Sequence, residues 1–416
     1  MVVLAYSSIF NPLNFVLKAL QMIIKRGLLA LLLCGVTLCT TLCVAQTPTL
    51  SNQANISVIT CGPGNELYSA FGHSALRVTD PNLGIDVVYN YGTFDFNTPN
   101  FYIKFARGKL LYTLSRTTYD NFIYAYILEN RWAKQQELNL SSSQKNAVFQ
   151  YLEQNYRPEN REYTYDFFFN NCATKIESIL SKALKTEIII DSTLAPTSKT
   201  FRNLIGEQVA KNSWAGFGID LALGAVIDKK ATLKEQQFLP NYVFNNLAVS
   251  SINNKPLVNT TADLHKPTKQ LAAVNLFRSP AVIFFTALII IVWFSYKETK
   301  NHRRNRWLDF GLFAVNGIAG FIILLLWFAT DHSATALNFN CLWLFPMHLF
   351  AAFSLLKKGR IATWVQLYTK ISLIALVIVV VLWALSIQQF NWVNTILMSI
   401  FALRYYRIIN FVPERN

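Results

Sequence analysis

The chain has 416 residues, enough for two domains. Its 52% hydrophobic and 14% aromatic content, against 15% charged residues, exceeds the apolar share of an ordinary soluble protein. The net charge of +15 first suggests a nucleic-acid binder, but the basic residues crowd short loops between apolar runs, which argues against one.

The first apolar block has the three parts of an export signal. Lys25 and Arg26 form the basic region, GLLALLLCGVTLCTTL the apolar core, and Cys43-Val44-Ala45 a small-residue cleavage site before Gln46. Residues 1–45 are therefore expected to be a signal peptide, with Met22 the more natural start and an uncleaved anchor the alternative. Leu42, Leu38 and Leu33 occupy the positions where a lipobox needs a small residue, so the chain is not expected to be a lipoprotein itself.

Residues 46–278 form the expected exported domain. HSALRVTD and DVVYNYG, joined by the turn-like PNLGI, predict a hairpin with His73, Ala75 and Arg77 on one face. RGKLLYTLS predicts another strand, and residues 116–136 and 141–156 have helical character, the second opened by a capping serine cluster. In FFFNNCATKIESILSKAL, Asn170 or Asn171 caps a helix that opens at Cys172. The stretch from Ser213 to Leu247 reads as amphipathic helix, and residues 252–272 as a polar linker. The pattern is α+β, with strands and helices segregated.

Five apolar runs follow, at about 279–296, 310–329, 341–356, 371–387 and 391–406. Basic loops at 297–309 and 357–370 and a basic tail alternate with nearly uncharged loops, which predicts five transmembrane helices with the C-terminus in the cytoplasm. Residues 279–416 are thus expected to be an all-α membrane domain.

Cys172 carries the chemistry. A thiol at a helix N-terminus feels the positive end of the dipole, which favours thiolate. His73 is the histidine of the exported domain that stands outside the linker, where His265 lies, so it is the expected base. Asn90, on the paired strand, is the first choice for the group that orients the imidazole, with Tyr91 and Asp95 in reserve. A Cys61–Cys172 disulfide is the competing reading in an oxidising compartment. Arg77, Asp331, His332 and Asn340 are candidate substrate-binding residues, the last three from an external loop at the membrane edge. No metal-ligand spacing, phosphate loop or serine elbow is present, and no cofactor is expected.

GPGNELYSAFGHSALRV, YNYGTFDF, FYIKFARGKLLYTL, YTYDFFFNNCATKI, TFRNLI and FLPNYV resemble the Lnb-type lipoprotein N-acyltransferase family, and TDHSATALNFNCLWLFPMHL resembles its transmembrane domain. The likeness covers roughly residues 55–410. The order His before Cys is also similar to permuted papain-like enzymes, including the lecithin:retinol acyltransferase group. The resemblance implies a permuted papain-like α+β domain on a bundle of about five helices. It also implies a reaction: a fatty acyl chain moves from a phospholipid, through a Cys172 thioester, to the α-amine of a diacylglyceryl-cysteine lipoprotein. The location implied is the bacterial inner membrane, with the catalytic domain in the periplasm. A papain-like cell-wall peptidase or amidase and a non-catalytic envelope assembly factor are the rival readings.

Overall fold

A computed structural model describes residues 12–41, 47–194, 198–268 and 275–411. Helix α1 (Pro12–Thr41) covers the apolar block read as an export signal and belongs to one compact unit, while the chain from Leu50 onward forms a second. The expected cleavage site at 43–46 lies outside the described residues.

The second unit opens with β1 (Asn55–Cys61), followed by the expected hairpin of β2 (His73–Asp80) and β3 (Ile85–Thr93). A short helix, α2 (Phe101–Ala106), precedes β4 (Leu111–Thr118). The expectation of helix over 116–136 is corrected: β4 runs through Thr118, α3 covers Tyr119–Leu128, and Ala133–Leu138 is strand β5. The string AKQQEL carries little strand signal of its own. It is extended because ladders on both of its edges satisfy its backbone, and buried Gln136 donates to the Phe244 carbonyl at 2.9 Å.

Helix α4 (Ser142–Tyr156) starts at a capping box between Ser141 and Gln144. After β6 (Glu162–Thr164) and α5 (Cys172–Leu184) come β7 (Ile189–Ile190) and α6 (Phe201–Gln208). The stretch read as one amphipathic helix is three: α7 (Trp214–Ala222), α8 (Leu233–Gln236) and α9 (Pro240–Ala248). Gly224 packs so close to another loop that a Cβ there would meet the Ala336 carbonyl oxygen at 1.8 Å. A capping box at Thr232 and Pro240 at the first helical position then start new helices.

The expected polar linker is also corrected. β8 (Ser250–Ile252) and β9 (Lys255–Pro256) form a hairpin about Asn253 and Asn254, both left-handed, and β10 (Val258–His265) pairs with β5. The main sheet runs β10-β5-β1-β2-β3-β4-β6, every neighbour antiparallel. One face packs Ile56, Val58, Leu76 and Val78 against Ile176 and Leu180 of α5 and Val148 of α4. The other packs Ile59, Ala75 and Val88 against Phe122 and Ile123 of α3. Each such buried aliphatic stabilises the fold by roughly 1.5–3 kcal/mol relative to exposure.

The C-terminal part is helical: α10 (Pro280–Lys300), α11 (Arg306–Phe328), α12 (Met347–Leu355), α13 (Thr363–Ala384) and α14 (Asn394–Ile409). Among the described residues, α10, α11 and α13 are long and apolar enough to cross a membrane. The run expected at 341–356 is interrupted: Phe339–Leu342 forms a 3-10 turn, Pro346 follows, and α12 has nine residues. The helices are tied at one end by a buried ion network in which Arg404 of α14 bonds Glu298 of α10 and Asp309 of α11. At the other end, loops of the helical part clasp the sheet-bearing part. Gly224 and Ala225 donate to the carbonyls of Ala334 and Leu337, and Asn391 donates to Asp220, which pairs with buried Arg202.

Candidate active site

Helix α5 begins where Asn171 ends the extended chain. Asn171 Oδ1 accepts from the N–H groups of Ala173 and Thr174 at 2.9 Å, and Thr174 Oγ1 accepts from the Asn171 N–H at 2.8 Å. The Asn171 amide donates in turn to the carbonyls of Phe167 and Phe238 at 2.7 and 2.8 Å, so the cap is buried and bonded on both sides. This places Cys172 in the first turn, half-buried, at the positive end of the helix dipole.

His73 opens β2 and Asn90 stands near the end of β3. The register pairs Leu76 with Tyr89, which carried one residue further puts Ala75 opposite Asn90; His73, two residues before Ala75, lies on the same sheet face. The side chains meet: His73 Nε2 and Asn90 Oδ1 are 2.6 Å apart. The amide oxygen only accepts, so Nε2 carries the proton and the other ring nitrogen is left for the thiol. The ladder of β3 on β4 slips between Asn90 and Thr93, and Gly92 in that bulge has φ +92°. A Cβ at Gly92 would lie 3.5 Å from Cys172 Cβ, so the bulge brings backbone against the thiol.

Electrostatics favour an ion pair. Burial alone would raise the Cys172 pKa, but the charge and hydrogen bond of His73, with the N–H groups of Ser74 and Ala173, hold it below the ordinary 9.0. Burial likewise works against a charged His73. The Cys172 charge and hydrogen bond and the Asn90 bond outweigh it, so the imidazole is raised above 6.5 despite Arg131 nearby. Both shifts act in the same sense, toward thiolate and imidazolium.

A cavity of about 380 Å³ opens beside these groups, lined by His73, Asn90, Gly92, Phe94, Tyr126 and Arg131 among others. The His73 ring stacks on Tyr126 of α3 at 6.5 Å between centroids. Buried Arg131 is fixed by donation to the Gly62 carbonyl and to Glu129, both at 2.8 Å. A larger cavity of about 530 Å³ lies along the opposite side of α5, at Thr174, Glu177 and Ser181, away from the imidazole.

The competing disulfide is corrected. Cys61 pairs with His73 in the β1–β2 register, yet Cys61 and Cys172 are both free, and burial pushes the Cys61 thiol up and keeps it neutral.

The other candidate residues lie elsewhere. Arg77 is held by Asp86 at 2.7 Å and Gln135 at 2.9 Å and lies over the Tyr119 ring. Asn340 is buried among the helices, where its Oδ1 accepts from the Trp343 indole at 3.0 Å. Asp331 and His332 meet α2 and not the thiol: the Asp331 N–H donates to the Arg107 carbonyl at 2.9 Å, and His332 Nε2 bonds the Phe105 carbonyl at 3.1 Å. The same loop also reaches the Cys172 segment, where the Ser333 hydroxyl donates to Asp166 at 2.9 Å. Asp166 caps the turn before the cysteine by accepting from the N–H groups of Phe168 and Phe169.

Sequence reading missed the Gly92 bulge, the Ser74 N–H, the Tyr126 wall and the Asp166–Ser333 link. The glycine inside a strand pattern was a signal for the bulge. The other three depend on tertiary juxtaposition. Among the described residues no group of His, Cys, Asp and Glu is arranged to hold a metal.

Two family descriptions match the chain: Lnb N-terminal periplasmic domain over residues 46–206 and Lnb transmembrane domain over residues 272–415. No curated protein and no solved structure matches it.

Proposed function

Because the chain belongs to the Lnb family, with a periplasmic and a transmembrane domain, we propose that it is a phospholipid:lipoprotein N-acyltransferase of the bacterial inner membrane. The observation that carries the reading is the line Cys172–His73–Asn90, whose cysteine segment is tied by Asp166 to Ser333, five residues beyond the end of apolar helix α11. A nucleophile at that height meets the ester groups of a leaflet. The full set of five spans and the permuted papain-like relationship belong to the same proposal.

The chemistry follows from the groups present. The Cys172 thiolate attacks a phospholipid ester carbonyl, and the carbonyl oxygen takes up the electron pair. The Cys172 N–H, in the first turn of α5 and so without an intrahelical acceptor, is placed to donate to that oxygen. As the tetrahedral centre collapses, the C–O bond breaks and the His73 imidazolium protonates the departing alkoxide, releasing lysophospholipid and leaving an acyl thioester. The α-amine of a diacylglyceryl-cysteine lipoprotein then attacks the thioester, His73 accepts its proton, and an amide forms as the thiolate leaves. Asn90 keeps the ring oriented throughout. Donor and acceptor are both anchored in one leaflet, which raises their effective concentration at the thiol. No cofactor takes part.

The test is mass spectrometry of a reporter lipoprotein's N-terminus in cells with the wild-type chain or Cys172→Ala. A third acyl chain that disappears in the variant is expected. N-acylation that persists in Cys172→Ala cells overturns the proposal.

A further inference from the structure

Helix α2 exposes an unusual surface for a periplasmic domain. Tyr102 is 77% exposed, Ile103 60% and Phe105 52%, and Phe96 in the preceding turn is 64% exposed. Residues 94–109 carry Lys104, Arg107 and Lys109 against one carboxylate, Asp95. Lys109 lies 3.7 Å from Asp331, whereas the side chains of Lys104 and Arg107 make no hydrogen bond or ion pair among the described residues.

Two further observations say what covers this surface. The first is height. The C-terminal end of α2 is bonded to Asp331 and His332, three and four residues past Phe328, where α11 ends. Phe328 is itself 72% exposed and stacks on Trp327, as aromatic residues do at a bilayer boundary. The second is continuity with the site. Phe94 lines the same cavity as His73, and its ring meets Phe96 at 5.0 Å and Phe101 at 5.8 Å, so a run of aromatic rings leads from α2 to the rim of the cavity that holds the imidazole.

We propose that α2 and the turn before it form an interfacial wedge seated in the periplasmic leaflet, from which a phospholipid passes along the Phe96–Phe94 surface to Cys172. Tyr102, Ile103 and Phe105 enter the acyl region near the headgroups, and Lys104 and Arg107 lie at the level of the phosphates. The wedge itself rests on the membrane placement of α11; its role as a lipid entry rests on the acyltransferase reading. A short, half-apolar, cationic helix fits a lipid surface better than a protein groove, since basic side chains flanking apolar ones match headgroups above acyl chains.

The experiment uses the full chain carrying Cys172→Ala, so the readout does not depend on transfer. Tyr102→Cys or Phe105→Cys is labelled with an environment-sensitive fluorophore, and labelling of the parent chain is subtracted. The protein is reconstituted in nanodiscs of phosphatidylethanolamine and phosphatidylglycerol containing nitroxide-labelled lipid. Asn82→Cys, in the exposed β2–β3 turn at the far end of the strands, is the reference position. Labels at 102 and 105 are expected to shift to the blue and lose most of their emission, more with the nitroxide near the carbonyl end of the chain than near the methyl end. The label at 82 is expected to stay unquenched. Labels at 102 and 105 as unquenched as that at 82 overturn the proposal, as does quenching seen only after a lipoprotein acceptor is added, which would mark α2 as a protein-docking surface. Failure of the chain that retains Cys172 to N-acylate a lipoprotein in the same nanodiscs, with quenching intact, would remove the acyltransferase reading and leave the wedge.

Discussion

Removing the Asn90 amide should slow acyl-enzyme formation without unfolding the chain. Asn90 Oδ1 lies 2.6 Å from His73 Nε2, and that bond helps raise the imidazole pKa. A hydrogen bond to a charged group contributes about 1.5–3 kcal/mol, so Asn90→Ala should lower the ion-pair population and the rate by roughly ten- to a hundredfold. Two effects are expected together. The rate of thioester formation falls, and the alkaline limb of its pH profile moves to lower pH, because the imidazolium has lost an acceptor. Asn90→Asp, which returns an acceptor with added negative charge, should move that limb back up. The assay is single-turnover formation of acylated Cys172 from phospholipid in nanodiscs, followed across pH by intact-protein mass spectrometry. A wild-type rate and an unmoved alkaline limb in Asn90→Ala would refute the orienting role.

Three other outcomes are expected. The wild-type pH profile should be bell-shaped: the rate rises as Cys172 loses its proton below the ordinary 9.0 and falls as His73 loses its own above 6.5, so alkylation of Cys172 by iodoacetamide should persist to lower pH than that of a free thiol. Gly92→Val should slow thioester formation roughly tenfold, because φ +92° costs a β-branched residue on the order of 1–2 kcal/mol and its Cβ would stand in contact with Cys172 Cβ at 3.5 Å; a circular dichroism spectrum like the wild type's is expected. Arg404→Ala, which strips Glu298 and Asp309 of a fully buried partner, should destabilise the bundle by roughly 3–5 kcal/mol and lower the thermal midpoint in detergent.

How much of this was legible in the sequence differs by element. The hairpin that carries His73 and Asn90 was readable because alternation and a turn string are local signals, and the helix at Cys172 because its cap is adjacent in sequence. Strand β5 was not, since AKQQEL is extended only because β1 and β10 flank it. Strand β10 reads as a linker for a different reason: an edge strand with mostly exposed side chains has the composition of a loop. The apolar runs marked the helical part but not the break before α12, where the side chains of Asn338 and Asn340 donate to the Leu221 carbonyl, far away in the chain. Arg77 shows the limit for sites. Its face was readable, but its engagement by Asp86, Gln135 and Tyr119 depended on neighbours the sequence does not place.

The central claim is that an acyl chain rests on Cys172 between donor and acceptor. The most direct measurement is a pulse–chase on the purified full chain in nanodiscs containing phospholipid with an isotope-labelled acyl chain. Intact-protein and peptide mass spectrometry should find that chain on Cys172 as a hydroxylamine-sensitive adduct, and its transfer to the α-amine of an added diacylated lipopeptide should empty the adduct at the same rate. Acylation of the lipopeptide by the Cys172→Ala chain, or transfer with no adduct formed on Cys172 within the same turnover, would contradict the account.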